Sequence, residues 1–221
     1  MIAIRRRFSV LDTLERVRKC GIVPVVALDD AKDAVPLAKA LVAGGIDIAE
    51  VTFRTAAAEE SIARISKEVP EMLVGAGTVL TPQQVETAVN AGAKFIVSPG
   101  MDVEVIRKAK ELQVMMLPGA VTPSEIMLGI KEGIEIFKFF PAGNYGGLKT
   151  IKALAGPFPK ITFIPTGGVS AANLAEYLEF KKIEAVGGSW MCAKEMVAKG
   201  NFDEITRISK EAVEIRNKVR P

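Results

Sequence analysis

Eight short runs rich in Val, Ile, Leu, Met and Phe recur along this chain, each followed by a longer amphipathic stretch. The runs are GIVPVVAL (21–28), IDIAEVTF (46–53), MLVGAG (72–77), KFIVSP (94–99), VMMLPG (114–119), IEIFKFF (134–140), ITFIPTGG (161–168) and IEAVGG (183–188). Several are continuously apolar where a one-sided strand would alternate, the pattern of strands covered on both faces. The stretches between them carry helix grammar. TPQQVETAVNAGA opens with Thr81 as N-cap and Pro82 at the first helical position and ends near Gly92. TPSEIMLGIKEG repeats this with Thr122, Pro123, Glu125 and Gly133. No linker or composition break divides the chain, so residues 1–221 read as one domain. Eight strand-then-helix units in one domain close most simply as a compact (β/α)₈ TIM barrel. Residues 1–20 then form an extra N-terminal helix flanking the barrel bottom. An open doubly wound sheet is the alternative, weakened because no G-x-G-x-x-G turn or P-loop follows any strand.

Composition excludes several functions. With 49% hydrophobic and 25% charged residues the chain can build a core. A formal charge of +3 and 6% aromatics give neither the basic surface nor the stacking platform of a nucleic-acid binder. No long uncharged apolar window spans a membrane, and residues 5–19 read as a packed helix with a basic, solvated face. Cys20 and Cys192, far apart and outside any motif, read as reduced thiols of a cytoplasmic protein. The chain has no histidine, which removes imidazole acid–base chemistry and the usual zinc sites.

In a barrel, chemistry gathers where strands end. There the sequence places Glu50 and Arg54 after the second run, Thr78 after the third, Ser98 and Pro99 after the fourth, and Lys138 and Phe140 in the sixth. Thr166, Gly167 and Gly168 follow the seventh, and Gly187, Gly188 and Ser189 the eighth. Paired glycine turns after strands seven and eight suit an anion such as phosphate, although glycine is also common in ordinary strand-to-helix turns. An oxygen-ligand metal would draw on Asp29, Asp30, Asp47 or Glu50; Asp47 begins a strand, at the wrong end, and Asp29–Asp30 suit a helix cap equally well. No metal is expected.

Lys138 is the anomaly. Its neighbours Phe137 and Phe139 should point outward under the helices, leaving Lys138 inside the barrel with Ile136 and Phe140. Burial favours the neutral amine, a nucleophile for a carbonyl carbon. The alternative is a structural cation paired with an interior carboxylate such as Glu50. With no histidine available, Glu50 is also the natural acid–base group, and Arg54 offers a planar fork for a substrate carboxylate.

Taken together and in order, GIDIAEVTFRT, VGAGTVLTPQQ, FIVSPGM, LPGAVTPSEI, FKFFPA, PTGGVS and GGSW resemble the 2-keto-3-deoxy-6-phosphogluconate (KDPG)/4-hydroxy-2-oxoglutarate (KHG) aldolases, from about residue 11 to 216. The resemblance implies a cofactor-free class I aldolase on a (β/α)₈ barrel, commonly homotrimeric. It implies that Lys138 forms the Schiff base and that Glu50 transfers protons. Arg54 and Thr78 would bind the pyruvyl carboxylate, with Phe140 packed on that end and Pro99 beside it. Gly167, Gly168, Gly188 and Ser189 would hold the phosphate, with Thr166 near the substrate hydroxyls. Gly143 departs from the family, which often has glutamate there, and Met191 replaces a usual leucine. The implied substrates are small keto acids. Alternatives are a 2-keto-3-deoxy-6-phosphogalactonate aldolase, another phosphate-binding barrel enzyme, and a non-catalytic metabolite-binding barrel.

Overall fold

The computed structural model describes residues 9–220. Expectations for residues 1–8, including the start of the basic N-terminal helix, and for Pro221 lie outside the described residues. Helix α1 (Val10–Cys20) comes first; Ser9 and Asp12 form a capping box and Gly21 closes it in left-handed backbone, φ 69°. Eight parallel strands follow: β1 (Ile22–Val26), β2 (Ile48–Thr52), β3 (Leu73–Gly77), β4 (Phe95–Val97), β5 (Met115–Leu117), β6 (Ile136–Phe139), β7 (Thr162–Pro165) and β8 (Val186–Gly188). Between them lie α2 (Ala34–Ala43), α3 (Ala58–Glu68), α4 (Pro82–Ala91), α5 (Val103–Glu111), α6 (Pro123–Lys131), α7 (Gly147–Ala155) and α8 (Leu174–Glu179). The chain continues after β8 into α9 (Lys194–Ala198) and α10 (Phe202–Val219).

Six strands form one continuous sheet in the order β5-β4-β3-β2-β1-β8, and β6 pairs with β7. Isolated bridges close the ring, Gly119 to Lys138 on one side and Phe163 to Ile183 and Thr166 to Gly187 on the other. The eight strands therefore form the expected barrel. Every residue of β1 to β5 is buried, which explains why most of those runs are continuously apolar and makes Glu50 and Thr52 on β2 the exceptions.

The helix signals act as their residues dictate. Thr81 accepts a hydrogen bond from the Gln84 backbone N–H, Pro82 opens α4, and Gly92 ends it at φ 107°. Thr122 and Glu125 complete a reciprocal capping box on α6.

Helix α1 crosses the N-terminal ends of the strands. Arg16 donates to the Asp47 carboxylate at 2.8 Å and to the Glu71 carbonyl at 2.6 Å, before β2 and β3. Arg18 grips Glu184, before β8, through two hydrogen bonds of 2.6 and 2.9 Å. The opposite, C-terminal rim is where β2, β3, β6, β7 and β8 bring together the residues expected of a site.

Candidate active site

Strand β6 sets the centre. Phe137 and Phe139 are fully buried; Phe137 lies against Gly129 of α6, and Phe139 meets Phe163 edge-on at 6.4 Å. Their outward packing turns Lys138 into the barrel. Its main chain is clamped, with the N–H donating to the Pro118 carbonyl and the carbonyl accepting from Ala120 N–H, both at 2.9 Å. The side chain is 4% exposed and Nζ stands 3.1 Å from Glu50 Oε1, itself on a side chain 3% exposed. The Phe140 ring lies 5.2 Å from Nζ and partly covers the ammonium.

Desolvating two charges is costly and removing either partner strands the other, so stability alone is a weak reason for such a pair. Within 3.1 Å a proton can pass from the amine to the carboxylate, leaving a neutral nucleophile beside a protonated acid. Structural pairing and nucleophilic chemistry are therefore compatible readings of one contact.

The other expected residues form two groups around this pair. Arg54 Nε donates to Thr78 Oγ1 at 3.2 Å, which joins the ends of β2 and β3 at the exposed rim. Thr78 adopts φ 54°, and Gly77 just before it touches the Glu50 carboxylate. On the opposite side, Gly167 packs on Pro141 and the Phe140 ring, and Gly167 and Gly168 take successive left-handed conformations, φ 88° and 77°. Asn173 holds this turn, accepting from Ser170 N–H and donating to the Gly168 carbonyl, both at 2.9 Å. Thr166 is buried with its side chain against Gly187. Ser189 is exposed after β8, and the Pro99 carbonyl packs on Gly119, beside the bridge to Lys138. Glu50, on the same strand as the first group, and Lys138, two residues before the Phe140 ring that Gly167 meets, join in the 3.1 Å pair.

Sequence reasoning did not find two features. Gly188 faces the Trp190 ring, and a β-carbon there would stand 2.1 Å from it, so packing demands this glycine independently of any anion. The segment after β6 is also tied to the glycine turn after β7: Ala142 N–H donates to the Thr166 carbonyl at 2.8 Å, and Gly143 N–H to the Gly167 carbonyl at 3.0 Å. No local pattern announces such a cross-strand tie.

The acidic candidates for a metal are dispersed. Asp47 is bonded to Arg16 at the far end, Asp29 pairs with Lys194, and Asp30 caps the turn at Ala31–Asp33. No cluster of three or more metal-ligating side chains occurs among the described residues. Cys20 and Cys192 are free and buried, and burial pushes their thiols up to about 11 and about 12. A cavity of about 1130 Å³ opens at the other end of the barrel, between α1 and the starts of β5 to β7. It holds Lys94, Lys110 and Lys160 but neither Lys138 nor Glu50.

Comparison with known proteins places most of the chain beside a single family. A family model for KDPG and KHG aldolases matches residues 13–208. The KHG/KDPG aldolase of Escherichia coli (strain K12) is 48% identical over 193 residues, 87% of this chain and 91% of that enzyme. The crystal structure of KDPG aldolase from Legionella pneumophila, with pyruvate captured at low pH as a covalent carbinolamine intermediate, matches with a TM-score of 0.87. It is 38% identical and covers 90% of this chain and 97% of that one. The 2-keto-3-deoxy-6-phosphogluconate aldolase of Zymomonas mobilis ZM4, crystallised with 3-phosphoglycerate, matches with a TM-score of 0.84 at 42% identity, over 92% of this chain and 96% of that one.

Proposed function

This chain belongs to the KDPG and KHG aldolase family, and we propose that it is a class I aldolase that works through a Schiff base on Lys138. Its substrate is KDPG, cleaved to pyruvate and glyceraldehyde 3-phosphate, or KHG, cleaved to pyruvate and glyoxylate. The observation that carries this reading is the buried 3.1 Å contact between Lys138 Nζ and Glu50 Oε1. The left-handed glycine turn at Gly167 and Gly168 favours the phosphorylated substrate.

Glu50 takes a proton from the Lys138 ammonium, and the free amine adds to the C2 carbonyl. The carbinolamine oxygen leaves as water with the proton returned by Glu50, and an iminium remains. Glu50, through a water, then accepts the C4 hydroxyl proton as the C3–C4 bond breaks. The bond's electrons enter the iminium, giving an enamine, and the aldehyde departs. Protonation at C3 restores the iminium, and water hydrolyses it to pyruvate and free Lys138. Arg54 and Thr78 hold the keto-acid carboxylate, Phe140 and Pro99 wall the pyruvyl end, and Thr166 faces the substrate hydroxyls. Gly167, Gly168, Gly188 and Ser189 receive the phosphate.

The test is intact mass after incubation with pyruvate and borohydride. A pyruvyl adduct mapped to Lys138 and missing from Lys138→Ala supports the reading; a folded protein without adduct overturns it. Cleavage assays with KDPG, KHG and the galactonate epimer rank the substrates. The working form in this proposal is a cytoplasmic homotrimer. Met127, Leu128 and Ile130 on α6 support self-association, being large apolar side chains left exposed. A monomeric mass by light scattering at micromolar concentration would refute it.

A further inference from the structure

We propose that Gly77 is a positioning residue of this site: its missing side chain is the seat of the Glu50 carboxylate. The inference rests on the proposed role of Glu50 as proton carrier and concerns what aims it. Along β2 and β3, Glu50 pairs with Gly75 and Thr52 with Gly77. Side chains alternate across a strand, so both glycines present their missing side chains to the face that carries Glu50. A β-carbon at position 77 would stand 2.1 Å from Glu50 Oε1, 2.5 Å from its Cγ and 2.6 Å from its Cδ. The three nearest atoms thus all belong to Glu50.

Backbone freedom is not what requires glycine here, because Gly77, unlike Gly167 and Gly168, has no left-handed φ. Space is the requirement. Heavy atoms in ordinary contact are about 3.5 Å apart. A methyl group at position 77 therefore drives the carboxylate more than about 1 Å from its place. The rest of the wall yields little, since Thr52 Oγ1 is bonded to the Val26 carbonyl at 2.9 Å and Glu50 is flanked by Val25 on β1. A displacement of about 1 Å between reacting groups costs up to about 100-fold in rate.

The experiment compares Gly77→Ala, Gly75→Ala and Glu50→Gln with wild type in two assays. One is exchange of the pyruvate methyl protons with deuterium, which reads proton transfer at C3. The other is borohydride trapping of pyruvate on the protein, which reads lysine occupancy. In Gly77→Ala, exchange is expected to fall about 10- to 100-fold while trapping at saturating pyruvate persists. Gly75→Ala is the packing control, because a β-carbon there strikes the Phe95 ring at 2.4 Å. It should lose stability without losing exchange. Slow exchange in Glu50→Gln with wild-type exchange in Gly77→Ala, or equal exchange losses in the two glycine variants, overturns the inference. Wild-type exchange in Glu50→Gln instead overturns the role of Glu50 itself. Should Gly77→Ala fold poorly, the same substitution in Glu50→Ala decides. The empty seat must then accept the methyl group at no cost in the urea midpoint, and an equal cost in both backgrounds rejects the proposal.

Discussion

Thr78 is a β-branched residue in left-handed backbone, at φ 54°, where its side chain crowds the main chain. Such strain persists where surrounding structure holds it, and here the threonine hydroxyl receives Arg54 Nε at the rim. Thr78→Gly should release about 1–2 kcal/mol of strain against about 0.5–1 kcal/mol of added chain entropy. Its urea midpoint should therefore stay near wild type or rise slightly, while the KM for keto acid rises severalfold. A clear loss of stability with unchanged KM would show that the threonine serves packing instead. At this scale the sequence was legible where residue type was anomalous. Lys138 among phenylalanines could be singled out from its neighbours. Gly77 could not, because a glycine near a strand end has many ordinary explanations and its particular one lies on another strand.

Helix α6 shows how much of an element is written locally. Its Thr122–Pro123–Glu125 start is a complete instruction: Glu125 accepts from Val121 and Thr122 N–H at 2.8 and 2.9 Å, while the Thr122 hydroxyl accepts from Glu125 N–H. Burial pushes the Glu125 carboxyl up, but these donors outweigh it and hold it below the usual range. Thr122→Ala should cost about 1 kcal/mol in denaturant unfolding, and Thr122→Ser should recover most of that. Strand limits were less legible. The run 134–140 contains β6, yet the strand is only Ile136–Phe139, and Phe140 already belongs to the rim. Apolar residues continue past the last ladder bond because the barrel wall and the site's lining need the same kind of side chain.

For the whole molecule, the ends of the described chain are fastened at one place. Arg220 donates to the carbonyls of Leu178, Ile183 and Glu184 at 2.7–3.0 Å, and Arg18 of α1 grips the Glu184 carboxylate. Burial pushes the Glu184 carboxyl up, yet hydrogen bonds from Arg18 and Thr162 and the charges of Arg18 and Arg220 hold it below the usual range. Its proton affinity is lower folded than unfolded. The stability it adds is therefore full above the unfolded value of about 4.3 and is lost as pH falls through the lower folded value. Urea midpoints of wild type and Glu184→Gln should differ at pH 7 and converge on acidification below about pH 4; a constant gap would assign the residue a role without charge. This network unites segments more than 160 residues apart, as Arg18 and Glu184 are, so no window of sequence could reveal it. The barrel class, by contrast, was readable from eight runs, because periodicity is local even when closure is not. The tie between the segment after β6 and the turn after β7 has a consequence of its own. In the proposed reaction it would fix the span from the Lys138 amine to the glycine turn as a calliper does, so that a phosphorylated keto acid one carbon too short or too long would satisfy one jaw only.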